Sequence, residues 1–117
     1  MKIVTWNINS IRLRIEKVIQ FIKDKNVDII CLQETKTPDE FFPSEEFKKV
    51  GMKHQYFRGE NSYNGVAILS RLKLKNPKHI NWCRKNDTRH ISVKISDKIE
   101  LHNFYVPAGG DEPDISI

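Results

Sequence analysis

Two short polar motifs contain residue types that could bind a divalent cation. They are WNINS at residues 6–10 and QETK at residues 33–36, and each follows a stretch that predicts a β-strand. Glu34 offers a carboxylate and Asn7 an amide oxygen, and Mg²⁺ takes oxygen ligands, often from only one or two carboxylates. Asn9 lies two residues after Asn7, so on an extended chain both side chains would face the same way. On residue types alone, Glu34 could equally be a helix cap or a surface charge and the asparagines turn formers, so both interpretations stay open here.

The segments around these motifs predict a strand, a helix and a second strand. Residues 2–6 are β-branched and aromatic, which favours a strand. Apolar residues recur at helical spacing over residues 11–22, where Ser10 can cap the start and Asn26 can end the helix. Residues 27–32 are almost continuously apolar, as in a strand covered on both faces. Parallel strands joined by a helix end at one edge of their sheet, so this unit would bring the two polar motifs together.

The rest of the chain predicts one short helix and four further strands. A helix over residues 44–50 would be capped by Ser44 and ended by Gly51. The last two strands would be joined by a tight turn at residues 97–98. The predicted strands span residues 54–57, 66–69, 91–95 and 99–106.

Tyr105 ends the last of these predicted strands, immediately before a Pro/Gly turn. A tyrosine in that position can present its hydroxyl group to a phosphate. The alternative is an aromatic residue at the edge of the sheet whose hydroxyl lies in water. The residue itself does not distinguish the two.

The composition is that of one soluble globular domain with an excess of positive charge. Of the 117 residues, 38% are hydrophobic and 30% are charged, which excludes a disordered chain. No apolar run approaches the roughly 20 residues of a membrane span, and the N-terminus lacks a signal-peptide pattern, so we expect a cytoplasmic protein. Two cysteines are too few for a disulfide framework, and Cys31 lies in an apolar strand, as a small buried thiol would.

The net charge of +5 favours a polyanionic partner. Basic residues between the fourth and fifth predicted strands could follow a nucleic-acid backbone, although such a run is usually a solvated surface. This run contains Lys73, Lys75, Lys78, Arg84, Lys85 and Arg89.

Four motifs, taken in order and spacing, point to a known family. They are KIVTWNINSIR at residues 2–12, LQETK at 32–36, YNGVAILS at 63–70 and FYVP at 104–107. Together they resemble the N-terminal half of bacterial exonuclease III. That enzyme belongs to the apurinic/apyrimidinic (AP) endonuclease branch of the endonuclease/exonuclease/phosphatase superfamily. The resemblance extends to about Gly110.

This resemblance implies an α/β fold, the N-terminal half of a four-layered α/β sandwich of the deoxyribonuclease I-like type. In that fold two packed sheets are flanked by helices. Residues 1–117 would then form a partial endonuclease/exonuclease/phosphatase domain without its C-terminal half, and the incomplete sandwich would expose an inner sheet face.

The resemblance also implies roles for individual residues. Glu34 would bind the metal, Mg²⁺ or alternatively Mn²⁺, with Asn7 as its neighbour and Asn9 close to the metal. Tyr105 would be catalytic and contact the scissile phosphate. The loop residues that would meet DNA are Arg12, Lys36, Tyr63 and Asn64.

The function implied by the resemblance is Mg²⁺-dependent hydrolysis of DNA phosphodiesters in repair, at abasic sites and 3′ ends of double-stranded DNA. In the family, the general base and the help for the leaving group come from a Gly-Asp-x-Asn motif, a later aspartate and a Ser-Asp-His motif. None of the three occurs in these 117 residues, so we expect a fragment that is inactive alone. The alternatives are a basic DNA-binding half-domain that does not cut, and one half of a split enzyme with a separate complementing C-terminal half.

Overall fold

Two β-sheets and two α-helices make up the computed structural model, which describes residues 1–80 and 88–106. Cys83, Arg84, Lys85 and Pro107 therefore lie outside the described residues. No helix within the described ranges is both long and apolar enough to span a membrane. The elements are β1 Ile3–Asn7, α1 Ile11–Lys25, β2 Ile29–Gln33, a 3₁₀ turn Asp39–Phe41, α2 Ser44–Lys48, β3 His54–Arg58, β4 Val66–Ser70, β5 Lys75–Lys78, β6 His90–Ser96 and β7 Ile99–Phe104.

Helix α1 begins and ends where the sequence predicts. The Ser10 hydroxyl accepts a hydrogen bond from the Leu13 N–H at 3.4 Å and caps the first turn. Asn26 adopts the left-handed conformation, with φ 50° and ψ 52°, and its N–H donates to the Ile22 carbonyl. The helix thus returns the chain directly into β2.

The first sheet has four strands in the order β1-β2-β4-β3. Strands β1 and β2 are parallel, as predicted, and their last residues Asn7 and Gln33 are register partners. Strand β4 pairs antiparallel with both β2 and β3. Because the β1–α1–β2 unit is a parallel crossover, both of its strands end at the same edge of the sheet.

The two helices cover the outer face of this sheet. Buried residues of the sheet pack there against apolar residues of the helices and loops. They are Ile30, Leu32, Ala67 and Leu69 from the sheet, with Ile11, Val18, Ile22 and Phe47 from the helices.

The second sheet is antiparallel, in the order β5-β6-β7, and it packs on the inner face of the first. Its Ile91 and Val93 join a buried cluster with Ile29 and Cys31. The expected open inner face is therefore covered over β2 and β4. Along β1 it is more open, and Ile3 is 44% exposed and lines a groove between β1 and β7.

Three predictions about local structure were wrong in detail. Strand β5 was missed because Lys-Asn-Pro-Lys matches no strand pattern, and its proline is tolerated at the edge of the sheet. Helix α2 begins at Ser44, so Pro43 holds the cap position and Ser44 makes no cap bond. Strand β7 ends at Phe104, which places Tyr105 just beyond the strand instead of within it.

Candidate metal and phosphate site

Asn7 and Glu34 meet at the edge where β1 and β2 end. Asn7 is the last residue of β1, and Glu34 directly follows β2. The Asn7 Nδ2 donates a hydrogen bond to Glu34 Oε1 at 3.0 Å. The two motifs singled out in the sequence therefore converge through the parallel pairing of their strands.

A short ring of polar contacts surrounds the Glu34 carboxylate. The Lys36 Nζ lies 3.3 Å from Glu34 Oε2 and also donates to Asn9 Oδ1. The Asn9 N–H in turn donates to Asn7 Oδ1 at 3.2 Å. The Glu34 side chain is 20% exposed, so one side of the carboxylate is accessible to solvent while the other is held by protein groups.

This environment lowers the pKa of Glu34. The largest cause is the hydrogen bond from Asn7, and a hydrogen bond and the charge of Lys36 act in the same direction. Partial burial opposes them, and a hydrogen bond from the Tyr105 hydroxyl adds to the lowering. The carboxylate is therefore ionised at neutral pH, which is the state that binds a cation.

Tyr105 reaches this site from the second sheet. Its N–H donates to the Arg89 carbonyl at 2.8 Å, and its side chain lies close enough to Glu34 for each group to shift the pKa of the other. Burial raises the pKa of the Tyr105 hydroxyl, and the charge and hydrogen bond of Glu34 raise it further. At neutral pH the hydroxyl keeps its proton and can act as a hydrogen-bond donor.

Backbone hydrogen bonds tie together the loops that carry these side chains. They connect the turn after β1, the turn after β2, the loop before β4 and the segment before β6. Because backbone groups make these bonds, the loops are held independently of their side chains. The bonds run from Ser10 N–H to Glu34 O (2.7 Å), Thr35 N–H to Gly65 O (3.2 Å), Lys36 N–H to Asn64 O (2.9 Å) and Gly65 N–H to Thr88 O (3.1 Å).

The same loops concentrate left-handed backbone conformations at residues other than glycine. Asn9 has φ 45°, Glu34 has φ 55°, Lys36 has φ 54° and Asn64 has φ 52°. Such conformations cost of order 1–3 kcal/mol each and tend to cluster where function requires a fixed geometry. Their concentration around Glu34 is independent support for a functional site here.

The residues expected to meet DNA divide into two groups. Arg12 and Lys36 line one open groove, together with Ser10, Leu13, Asn61 and Ser62. Tyr63 comes directly after Ser62 in the sequence, and it is 71% exposed. Asn64 does not line this groove, and its Nδ2 donates to Glu60 Oε1 at 3.0 Å.

One polar residue near the site escaped sequence reasoning. Asn103 on β7 is 2% exposed, and its side chain spans the gap between the two sheets. Its signal in the sequence was a spacing of two residues from both Leu101 and Tyr105, which puts all three on one face of an extended chain. Gln33, noted as a neighbour of Glu34, bonds directly to Asn103.

The oxygen atoms of this site suit a hydrated Mg²⁺ or Mn²⁺ ion. Glu34 supplies an ionised carboxylate, while Asn7 directs its Nδ2 to Glu34 and its Oδ1 accepts a hydrogen bond from the Asn9 N–H. Mg²⁺ commonly binds through one or two carboxylates while keeping several waters. Within residues 1–80 and 88–106, no group of three or more His, Cys, Asp and Glu residues could hold a metal.

Comparison with known proteins gives a family match over most of the chain. The model of the Endonuclease/Exonuclease/phosphatase family matches residues 4–114. Exodeoxyribonuclease III of Haemophilus influenzae is 36% identical over 75 residues, which cover 64% of this chain and 28% of that protein. Recombination repair protein 1 of Drosophila melanogaster is 31% identical over 115 residues, which cover 94% of this chain and 16% of that protein. DNA repair nuclease APEX1 of Danio rerio is 31% identical over 80 residues, or 65% of this chain and 26% of that protein.

Solved structures give the same picture. An AP endonuclease from Archaeoglobus fulgidus superposes with a TM-score of 0.82 at 38% identity, covering 92% of this chain and 42% of that one. The 3′ phosphatase NExo from Neisseria, bound to a product DNA hairpin, superposes with a TM-score of 0.82 at 32% identity, covering 90% and 41%. This chain thus spans less than half the length of either structure, and 16% to 28% of the length of the curated relatives.

Proposed function

Because this chain belongs to the endonuclease/exonuclease/phosphatase family, we propose that it carries the metal- and phosphate-binding part of a DNA repair nuclease. The supporting observation is the meeting of three groups from two sheets. The Asn7 amide lies 3.0 Å from the Glu34 carboxylate, and the Tyr105 hydroxyl approaches the same carboxylate from β7.

The chemistry proposed for this site is hydrolysis of a DNA phosphodiester. Glu34 and Asn7 would hold Mg²⁺, or Mn²⁺ in its place, and the bound ion would offset the negative charge that grows on the phosphate oxygens. The Tyr105 hydroxyl, which keeps its proton at neutral pH, would donate a hydrogen bond to a phosphate oxygen. Loss of one such donor typically slows a reaction about 10²–10³-fold.

The proposed substrate is double-stranded DNA, at abasic sites or 3′ ends. Arg12 and Lys36 line the groove next to Glu34 and would contact the phosphate backbone. The exposed ring of Tyr63 and the loop containing Asn64 would border the same DNA. The comparison with exodeoxyribonuclease III and AP endonucleases supports this choice of substrate.

We further propose that residues 1–117 form a partial nuclease domain that does not hydrolyse DNA alone. Hydrolysis needs a base for the attacking water and help for the leaving oxygen. The Gly-Asp-x-Asn and Ser-Asp-His motifs that the family resemblance assigns to these tasks are absent from this sequence. A complementing C-terminal half, in the same chain or a separate one, would supply them.

A comparison of two isosteric substitutions tests the metal site. Glu34→Gln removes the proposed ligand, whereas Glu45→Gln changes a 78% exposed carboxylate on α2 that pairs with Lys48. We expect Mn²⁺ binding, followed by electron paramagnetic resonance of the free ion, to be lost in Glu34→Gln and kept in Glu45→Gln. Equal Mn²⁺ binding by both variants would exclude Glu34 as the metal ligand.

The partial-domain proposal has a separate test. The 117-residue protein is incubated with Mg²⁺ and a duplex that contains one abasic site, and both binding and strand cleavage are measured. We expect binding without cleavage. Cleavage that disappears in Glu34→Gln would show instead that this chain is active alone.

A non-catalytic DNA-binding half-domain is the second candidate, favoured by the net charge of +5 and the groove lined by Arg12 and Lys36. In that case DNA affinity would fall as the salt concentration rises and when either basic residue is substituted. It would not change on addition of Mg²⁺ or in Glu34→Gln. A metal-dependent increase in DNA affinity favours the nuclease proposal over this one.

A further inference from the structure

Asn103 is a buried amide that connects β7 to the first sheet. Its side-chain Nδ2 donates to the carbonyl of Leu32 on β2 at 3.0 Å and to the carbonyl of Ala67 on β4 at 2.8 Å. Leu32 and Ala67 are register partners, so one amide group reaches two adjacent strands at once. Only 2% of Asn103 is exposed to solvent.

The acceptor of the same side chain is also used. Asn103 Oδ1 accepts a hydrogen bond from Gln33 Nε2 at 2.7 Å, and Gln33 Nε2 lies 2.9 Å from Thr5 Oγ1 on β1. An asparagine side chain has two N–H donors and one carbonyl oxygen, so both polar atoms of Asn103 have partners. Burial of this amide therefore leaves neither polar atom of its side chain unpaired.

The neighbours of this network along the chain are the two groups of the candidate site. Gln33 immediately precedes Glu34, and Asn103 lies two residues before Tyr105. The contact between Gln33 and Asn103 therefore lies one residue from Glu34 and two residues from Tyr105 along the chain.

Apolar packing alone would not specify this alignment. Between β6 and the first sheet, Ile91 and Val93 pack on Ile29 and Cys31, and apolar burial has no preferred direction. The hydrogen bond from Arg58 Nη1 to the His90 carbonyl, at 3.0 Å, joins β3 to β6 and does not involve β7. Hydrogen bonds have preferred lengths and angles, so Asn103 distinguishes one register of the two sheets from its neighbours.

We propose that Asn103 is a positioning residue that holds Tyr105 at its place against Glu34 by fixing β7 to β2 and β4. Its importance for phosphate chemistry rests on the proposed function. The positional role itself does not.

The test follows the ring of Tyr105 by nuclear magnetic resonance, through its nuclear Overhauser contacts with the apolar cluster between the sheets. Asn103→Leu keeps the approximate volume and removes all three hydrogen bonds. We expect the Tyr105 ring to lose or change these contacts, because β7 is no longer fixed to β2 and β4.

Val93→Ala is the matched control, because it removes buried apolar atoms from the same space between the sheets without touching these hydrogen bonds. We expect it to lower the melting temperature and leave the contacts of the Tyr105 ring as in the wild type. A purely structural role for Asn103 would give the same Tyr105 contacts in both variants, and that result would overturn the proposal.

If Asn103→Leu does not fold, Gln33→Met provides the comparison. It removes the hydrogen bonds of Gln33 Nε2 with Asn103 Oδ1, Thr5 Oγ1 and the Cys31 carbonyl, and keeps the two bonds that Asn103 Nδ2 donates. Changed contacts of the Tyr105 ring in Gln33→Met support the proposal, and unchanged contacts contradict it. Failure of the wild type to bind Mn²⁺ would refute the proposed function while leaving this comparison valid.

Discussion

The side-chain amide of Asn7 donates a hydrogen bond to the carboxylate of Glu34, with 3.0 Å between Nδ2 and Oε1. The two residues are 27 positions apart and meet because β1 and β2 run parallel and end in register. This bond is also the largest cause of the lowered Glu34 pKa. One local contact therefore orients the proposed metal ligand and keeps it ionised.

Replacing Asn7 with leucine should raise the Glu34 pKa and weaken Mn²⁺ binding. Partners that orient a metal ligand typically contribute about 10–100-fold to metal affinity. Titration of the labelled Glu34 carboxyl group and a Mn²⁺ binding curve measure the two effects. Asn61→Leu, on an exposed loop, is the control and should change neither. Unchanged Mn²⁺ affinity in Asn7→Leu would remove Asn7 from the metal site.

Lys36→Met should raise the Glu34 pKa, because the carboxylate loses both a hydrogen bond and a nearby positive charge. It should also weaken DNA binding and reduce the slope of log affinity against log salt by about one, as expected for a lost phosphate contact. Fluorescence anisotropy with a labelled duplex gives both quantities. Lys48→Met is a matched control, since Lys48 makes an ion pair of the same 3.3 Å length with Glu45 on α2. Parallel salt curves for Lys36→Met and wild type would show that Lys36 does not contact DNA.

Gly65→Ala should destabilise the protein more than Gly51→Ala. Both glycines have positive φ, 95° and 93°, so each substitution carries a conformational penalty of about 1–2 kcal/mol. At Gly65 the added Cβ would also lie 2.0 Å from Thr35 Oγ1, whereas at Gly51 the nearest atom is Arg71 Cδ at 3.5 Å. We therefore expect about 1–3 kcal/mol of additional loss at Gly65 from overpacking. Urea unfolding curves measure the difference, and equal losses would mean that the loop before β4 can move away from Thr35.

Acid should reduce the free energy of unfolding through two carboxyl groups. Asp28 accepts a hydrogen bond from the Lys2 N–H at 2.7 Å and pairs with Arg71, and these contacts lower the pKa of Asp28. The pKa of Glu34 is also lowered, by its contacts in the candidate site. A pKa that is lower in the folded state stabilises the protein above the unfolded value, near pH 4, and the contribution is lost as the pH falls through the folded value. Urea midpoints measured from pH 7 down to pH 2 should fall less steeply in Asp28→Asn and Glu34→Gln. Curves parallel to wild type in both variants would contradict this assignment.

The Cys31 thiol should be unreactive in the folded protein. Burial raises its pKa to about 12, and only the thiolate attacks disulfide reagents. In a Cys83→Ser background, which leaves one thiol, the rate of reaction with Ellman's reagent should follow the rate of unfolding and increase with urea. Rapid reaction in buffer alone would show that the interior of β2 opens readily.

Local sequence was sufficient for the part of the fold that carries Asn7 and Glu34. The apolar spacing of α1, its cap at Ser10 and the left-handed Asn26 all depend on residues within a few positions of each other. Two parallel strands joined by a helix form a right-handed crossover and end at the same edge of the sheet. The convergence of the two polar motifs therefore followed from short-range patterns. Tyr105 was assigned to the site by the family resemblance. The residues around it in the sequence fit an aromatic residue at the edge of a sheet equally well.

What depended on the tertiary structure were the contacts between the two sheets. The sequence of β5 has no strand pattern, and β5 forms by pairing with the edge of β6. The bonds of Asn103 to Leu32 and Ala67 span 71 and 36 positions, and no periodicity within β7 specifies them. Short-range patterns record which face of a strand is buried, whereas the partner across the interface is selected by packing of the whole domain.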